Sequence, residues 1–143
     1  VALWIATVIL SVVSLKLSLC TNKSLKRVDI AMECQRRFAK VYYTLRPKAK
    51  ANQYNVAEYY SLFWSLQIDQ FQYWTEGLID EKIFSFWMFC RHEEWLENEM
   101  IATMDYHSGW RLAVKKFRLE SSEMYPFMMS VFEGTSELIE NYR

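Results

Sequence analysis

The chain has 143 residues, with three glycines, two prolines and three cysteines, and aromatic side chains make up 17% of it. So little turn punctuation favours an all-helical domain over a barrel or sandwich built on many tight turns, and three widely spaced cysteines suit a reducing cytosol and imply no disulfide framework. Net charge is zero, but residues 1–50 hold ten Lys/Arg against Asp29 and Glu33, a balance of +8, whereas residues 51–143 hold seven against fifteen acids, a balance of −8.

Residues 1–15 carry no charge, and Lys16, Lys23, Lys26 and Arg27 follow in quick succession. A bilayer core needs about 20 mostly apolar helical residues at about 1.5 Å rise each, which residues 1–20 supply once Lys16 extends toward the headgroups. The pattern predicts a single transmembrane anchor at residues 1–20. Basic residues on its C-terminal side assign the rest of the chain to the cytoplasm, because lysine and arginine beside a span are retained there. A cleaved signal peptide carries its basic residues before the apolar run, the reverse of the order here. The run Leu17, Ser18, Leu19, Cys20 is a poor lipoprotein cleavage site, with leucine where a small residue belongs. A buried soluble helix is disfavoured because Leu3, Trp4, Ile5, Val8, Ile9 and Leu10 leave no polar face. The chain opens on Val1, which is compatible with further residues upstream or with a non-standard start codon.

Residues 21–50 form the predicted basic juxtamembrane helix and linker. Ala31, Cys34, Phe38, Val41 and Leu45 recur at three- or four-residue steps, a stripe expected to pack on the following domain, with self-association beside the membrane as the alternative. Pro47 disfavours helical geometry at Arg46 and is expected to end the helix, leaving residues 48–53 as a short polar linker. Lys23, Lys26, Arg27, Arg36, Arg37 and Lys40 are the predicted contacts with anionic lipid, where each cation near the surface is worth about 1 kcal/mol. Nucleic acid is not an expected partner, because the basic stretch has no interleaved aromatic platform or reading motif.

The third unit, residues 51–143, is the predicted cytoplasmic helical domain. Asn55 with Glu58 three residues on has the form of a capped helix start, and Gly77 the form of a left-handed stop. Asp80 then caps a second helix, expected to run to about Met104. Only Leu78 and Ile79 bridge the two helices, so they are predicted to fold back as an antiparallel hairpin at the centre of a small bundle. Twelve of the chain's twenty-four aromatics fall within residues 59–95, enough to build a core in so small a domain. Ser108 is the predicted cap of a helix over residues 109–117, and a further helix is expected from about Tyr125 or Pro126 to Phe132, ahead of a short end at residues 137–143.

Catalytic patterns are sparse. Cys90, His92, Glu93 and Glu94 form the most suggestive cluster, but zinc sites need three or four converging ligands and the zincin pattern needs histidines four apart. Phe89 and Met104 occupy the positions where a di-iron bundle would carry glutamate before His92 and His107. Cys90 and His92, two apart on a helix, point to different faces. No catalytic residue, metal ligand or cofactor site is therefore predicted. Asp69, among Gln67, Gln70 and Gln72, suggests a buried polar strip in which Arg91 would be its structural partner.

Tyr59, Tyr60, Phe63, Trp64, Leu66, Gln67, Gln70, Phe71, Trp74 and Gly77, followed by Ile79, Trp87 and Arg91, resemble a pattern in a family of small uncharacterised bacterial proteins. Those proteins have an N-terminal span and a short aromatic helical domain. The resemblance covers residues 59–91, with a weaker echo over residues 108–132; it implies an all-α fold and a bacterial inner-membrane setting, and carries no activity. The leading expectation is a membrane-anchored interaction or regulatory module, with the lipid bilayer and a protein, or a second copy, as partners. Glu93, Glu94, Glu97 and Glu99 are its expected partner-facing surface. The alternatives are a small hydrolase or metal-dependent enzyme using His92, Glu93 and His107, and a lipid or amphiphile binder using the aromatic interior.

Overall fold

The computed structural model describes residues 2–140 and residue 142. Among the described residues the fold is all-helical apart from one ribbon of two two-residue strands. Helix α1 (Ala2–Ala39) runs through a π-helical stretch (Lys40–Leu45) into α2 (Arg46–Lys50), so residues 2–50 make one long rod. It carries an 18-residue window of mean hydropathy 2.1, long and apolar enough to cross a membrane. Residues 3–29 are all exposed, a bare length of about 40 Å at 1.5 Å per residue. Among the described residues the first buried side chain is Ile30. From there Cys34, Val41, Leu45 and Ala49 are buried against the domain, with Ala31 and Phe38 half-buried, so the apolar stripe of residues 31–45 packs inward.

Pro47 does not end this helix. A proline lacks the N–H that would reach the carbonyl four residues back, and its ring clashes with that carbonyl. The π stretch absorbs both defects by lengthening the hydrogen-bond step, with the Arg46 amide donating to the Val41 carbonyl five residues back. The stop comes at Asn52, in the left-handed region at φ 56°, where the Gln53 amide bonds Lys48 and the Asn52 amide bonds Ala49. The expected polar linker is therefore mostly helix and its cap.

Helix α3 (Val56–Thr75) starts where expected, with the Asn55 side chain accepting from the Glu58 amide, and it stops at Gly77, φ 72°. Helix α4 (Glu81–Glu97) is capped by Asp80, which accepts from the Lys82 amide. It ends seven residues short of Met104, at Asn98 in the left-handed region. Strands β1 (Met100–Ile101) and β2 (Met104–Asp105) pair antiparallel about a turn in which Ala102 has φ 52°. Helix α5 (Tyr106–Phe117) then begins three residues earlier than the sequence suggests. Its cap is Asp105, which accepts from the amide of Ser108, so Ser108 is inside the helix. After a 3-10 turn (Leu119–Ser121) come α6 (Met124–Glu133), with Pro126 tolerated in its first turn, and α7 (Glu137–Glu140).

Packing differs from a simple hairpin core. Helix α3 lies chiefly against α5, and α4 against α6 and α7. Helix α6 is the wedge. Its Phe127 reaches Phe71, Trp74 and Phe84 at ring separations of 5.0, 5.5 and 5.9 Å, filling the space between α3 and α4 near their turn. Its Phe132 meets Trp64, Trp95 and Trp110 at 6.1, 4.0 and 5.2 Å, joining α3, α4 and α5 at the other end. Trp64 and Phe84 are fully buried, whereas Trp74 and Trp87 are only half-buried.

Candidate functional site

The acidic face expected on α4 is divided by the fold. Glu93 and Glu97 are exposed. Glu94 instead turns inward and accepts two hydrogen bonds of 2.7 Å from Nε and Nη2 of Arg91. Glu99 has left the helix and accepts from Arg46 and from Lys50 Nζ, the latter at 2.6 Å, tying α2 to the ribbon. The predicted lipid contacts are likewise sorted. Lys23, Lys26, Arg36 and Lys40 are exposed, Arg27 is exposed and donates from Nε to the Gly77 carbonyl at 3.0 Å, and Arg37 is half-buried. Arg37, not Arg91, is the partner of Asp69, at 2.6 Å.

Arg91 lies at the centre of a buried polar layer. Its side chain is 4% exposed, its guanidinium sits 4.9 Å from the Phe63 ring centroid, and Phe38 lies on another side at 6.0 Å. Burial alone would lower its affinity for a proton, but the Glu94 charge, the Tyr106 phenol and the hydrogen bonds to Glu94 more than reverse this, and the cation is held firmly. The phenols of Tyr59, Tyr60 and Tyr106 surround the pair and are all raised above their ordinary range, first by burial and then by nearby charges, Glu94 among them. Gln67 and Gln70 are buried in α3, and both side-chain polar atoms of Gln67 and Oε1 of Gln70 have no protein hydrogen-bond partner. The gap lined by Tyr59, Tyr60, Glu94 and Tyr106 has a volume of about 20 Å³, the size of one water. It is too small to admit a substrate.

His92 and His107 do not converge on a reaction centre. Nδ1 of His92 lies 3.0 and 3.1 Å from the carbonyls of Val131 and Phe132, so it carries the proton and caps the last turn of α6. Nε2 of His107 meets the Trp95 carbonyl at 2.9 Å while its ring stacks on Trp95 at 3.8 Å. Among the described residues no group of three or more His, Cys, Asp or Glu is placed to hold a metal ion. Cys90 is raised by burial above the ordinary thiol range, opposite to what a nucleophile needs.

Larger concavities open at the surface, and two of them are bordered by residues described above, one by Gln70, Cys90 and Arg91 and the other by Trp95. A 390 Å³ cleft opens between α1 and α4, walled by Phe38, Tyr43, Phe86 and Trp87. A larger groove of about 760 Å³ runs between α5 and α6, with Arg111, Lys115 and Arg118 along one side and Trp110 and Tyr125 beneath. The sequence signal for the second was present, since residues 110, 111, 114, 115 and 118 share one helical face. No family model matches the chain, and neither the curated proteins nor the solved structures provide a match to it.

Proposed function

We propose that this protein is a single-span, membrane-anchored helical module that presents its domain to a protein partner on the cytoplasmic side. The observation that carries the reading is the contrast along one helix. Leu3, Trp4, Ile5, Leu10, Leu15 and Leu17 are each more than half exposed, whereas from Ile30 onward the same helix has a buried stripe. Leaving that many large apolar side chains in water is costly, at about 25 cal/mol per Å², and a bilayer removes the cost. Orientation rests on Lys23, Lys26 and Arg27 following the apolar run. Interaction is favoured over catalysis because both histidines are spent on backbone carbonyls and the interior is filled. Glu93 and Glu97 are the acidic groups left on α4 for a basic partner.

The test is a pair of reporter fusions after Arg143, one active only in the cytoplasm and one only outside it, combined with crosslinking in native membranes. Cytoplasmic activity, membrane fractionation and a recurrent crosslinked protein are expected. Recovery in the soluble fraction or activity of the external reporter overturns the anchor and its orientation. A second reading, an amphiphile binder, is favoured by the aromatic cleft between α1 and α4, with Phe86 52% and Ile83 43% exposed at its mouth. A co-purified lipid released on denaturation is its expected signature.

A further inference from the structure

The domain is acidic, and its few cations are unevenly spent. Of seven Lys/Arg in residues 51–143, four are Arg111, Lys115, Lys116 and Arg118, all within two turns at the end of α5. None of the four makes an ion pair among the described residues. A helix C-terminus attracts cations through its dipole, which accounts for their sign. It does not account for their aim. Arg111, Lys115 and Arg118 all line the 760 Å³ groove, against the single acid Glu120, whereas Lys116 does not; Lys115 also borders, together with Lys116, the neighbouring concavity beside Asn55 and Glu58. Arg118 reaches its place with a backbone φ of 53°, a left-handed conformation in which glycine is the usual residue.

Beneath this rim the surface is apolar. Trp95, Trp110, Val114, Tyr125 and Met129 make the floor. Both faces of Trp95 are already covered, by His107 at 3.8 Å and Phe132 at 4.0 Å, so its indole offers an edge and not a stacking platform. Tyr125 and the adaptable Met129 supply the remaining contact. The groove is open to solvent and pairs a mostly apolar lining with a few charged groups at its rim, the combination that ligand sites use.

We propose that the groove between α5 and α6 binds a small phosphate monoester carrying a flat apolar body. Three cations against one acid match a dianion, and the guanidinium forks of Arg111 and Arg118 suit phosphate oxygens better than a single point charge would. The apolar body then lies along the indole edges and against Tyr125. The site is remote from the point where the long helix leaves the domain. Arg27 meets Gly77 just past the end of α3, whereas Lys115 and Lys116 sit at its start, and the 20 residues of α3 separate them by about 30 Å. A bilayer surface at the first point does not explain cations at the second. The proposal is independent of whether the chain is membrane-anchored.

The experiment is isothermal titration of the full chain in nonionic micelles with 1-naphthyl phosphate, inorganic phosphate and 1-naphthol, each corrected by a titration into empty micelles. The ester is expected to bind with 1:1 stoichiometry, and inorganic phosphate and 1-naphthol each at least tenfold more weakly. Arg111→Glu and Lys115→Glu are each expected to weaken the ester at least tenfold, because each removes a charge-assisted contact. Lys116→Glu, with the same charge change one residue away, is expected to weaken it less than threefold. Val114→Trp, which fills the floor, should abolish binding with the fold intact by circular dichroism. Absence of 1:1 binding, equal losses in Lys115→Glu and Lys116→Glu, or inorganic phosphate binding as tightly as the ester would each overturn the proposal. So would tighter binding of an acidic peptide than of the ester.

Discussion

Gly109 offers the sharpest test of the packing. It lies inside α5 with helical backbone, and a Cβ built there would fall 2.4, 2.5 and 2.6 Å from Cδ1, Cγ and Cε1 of Tyr60. Two terms oppose each other in Gly109→Ala. Alanine is the better helix former by about 1 kcal/mol. Carbon atoms, however, rest about 3.5–4.0 Å apart, so three atoms of one ring must retreat by about 1 Å. Tyr60 is 1% exposed and is held edge-on by Tyr59 at 5.1 Å and Tyr106 at 6.5 Å, so the ring has nowhere to go. Overpacking a tight core costs about 1–3 kcal/mol, and a clash with stiff ring carbons belongs at the upper end. The net expectation is a loss of about 2 kcal/mol, or about 10 °C in melting temperature for a domain of this size.

Urea and thermal unfolding in detergent, followed by far-ultraviolet circular dichroism, measure this. Tyr60→Phe should give no relief in the Gly109→Ala background, because the clash is with ring carbons and not the hydroxyl. Tyr60→Ala should relieve it, and the double variant should be less destabilised than the two single losses added together. A Gly109→Ala protein as stable as the parent, or more so, would refute the reasoning and show that propensity outweighs contact at this position. Gly77→Ala is the conformational counterpart. Its φ is 72° and the nearest atom is Lys23 Nζ at 4.0 Å, so only the left-handed backbone is penalised, by about 1 kcal/mol.

Arg91→Met should lower stability by about 3 kcal/mol in the same unfolding assay, since it strands the Glu94 carboxylate beside three buried phenols, and adding Glu94→Leu should recover most of the loss. Tyr59, Tyr60 and Tyr106 titrate higher in the folded state than the usual 10.0, so their contribution to stability is level below that pH and falls as pH rises above it. Absorbance at 295 nm should accordingly show these phenols ionising together with loss of structure; reversible ionisation of all nine tyrosines in the folded protein would contradict the buried layer. The Cys34 thiol is pushed from 9.0 to about 11, mainly by burial and against the pull of Arg37. At pH 8 its thiolate is about 100-fold scarcer than in the unfolded chain, and alkylation of Cys34 should slow by at least that factor until urea is added.

What the sequence disclosed was mostly local. Asn55, Gly77 and Asp80 mark helix ends through groups one to five residues away, and all three do so in the structure. Pro47 misled because its remedy lies upstream, in a π stretch that no single residue announces. The end of α4 was hidden for a similar reason. Trp95, Leu96 and Ile101 continue the helical rhythm, and the break depends on two non-glycine residues, Asn98 and Ala102, adopting left-handed backbone. Ion-pair partners were the least legible. Asp69 is 32 residues from Arg37, and Glu99 is 53 from Arg46, so no spacing rule joins them. The same pairings decide which charges remain for partners, which is why the acidic surface read from α4 shrinks from four glutamates to Glu93 and Glu97.

The remedy for Pro47 has a mechanical consequence. With a flexible linker at residues 48–53 the domain would hang from the long helix and sample many orientations. Instead it is clamped along the lower half of the same rod whose upper half is bare. Ile30, Cys34, Val41, Leu45 and Ala49 are buried at successive points along that contact. Arg37 to Asp69 fastens the rod to α3, and Arg46 and Lys50 to Glu99 fasten it beyond α4. Arg27 bonded to the Gly77 carbonyl fixes the edge nearest the apolar segment. Apolar burial supplies most of the attachment and the half-exposed ion pairs set its register, since pairs of that kind contribute only about 0–1 kcal/mol each. The domain therefore moves with its helix as one body. In the anchored reading, the α5–α6 groove stands at a set height, about the length of α3 above the edge marked by Arg27 and Gly77, and a ligand or partner meets it there without reorganising the domain.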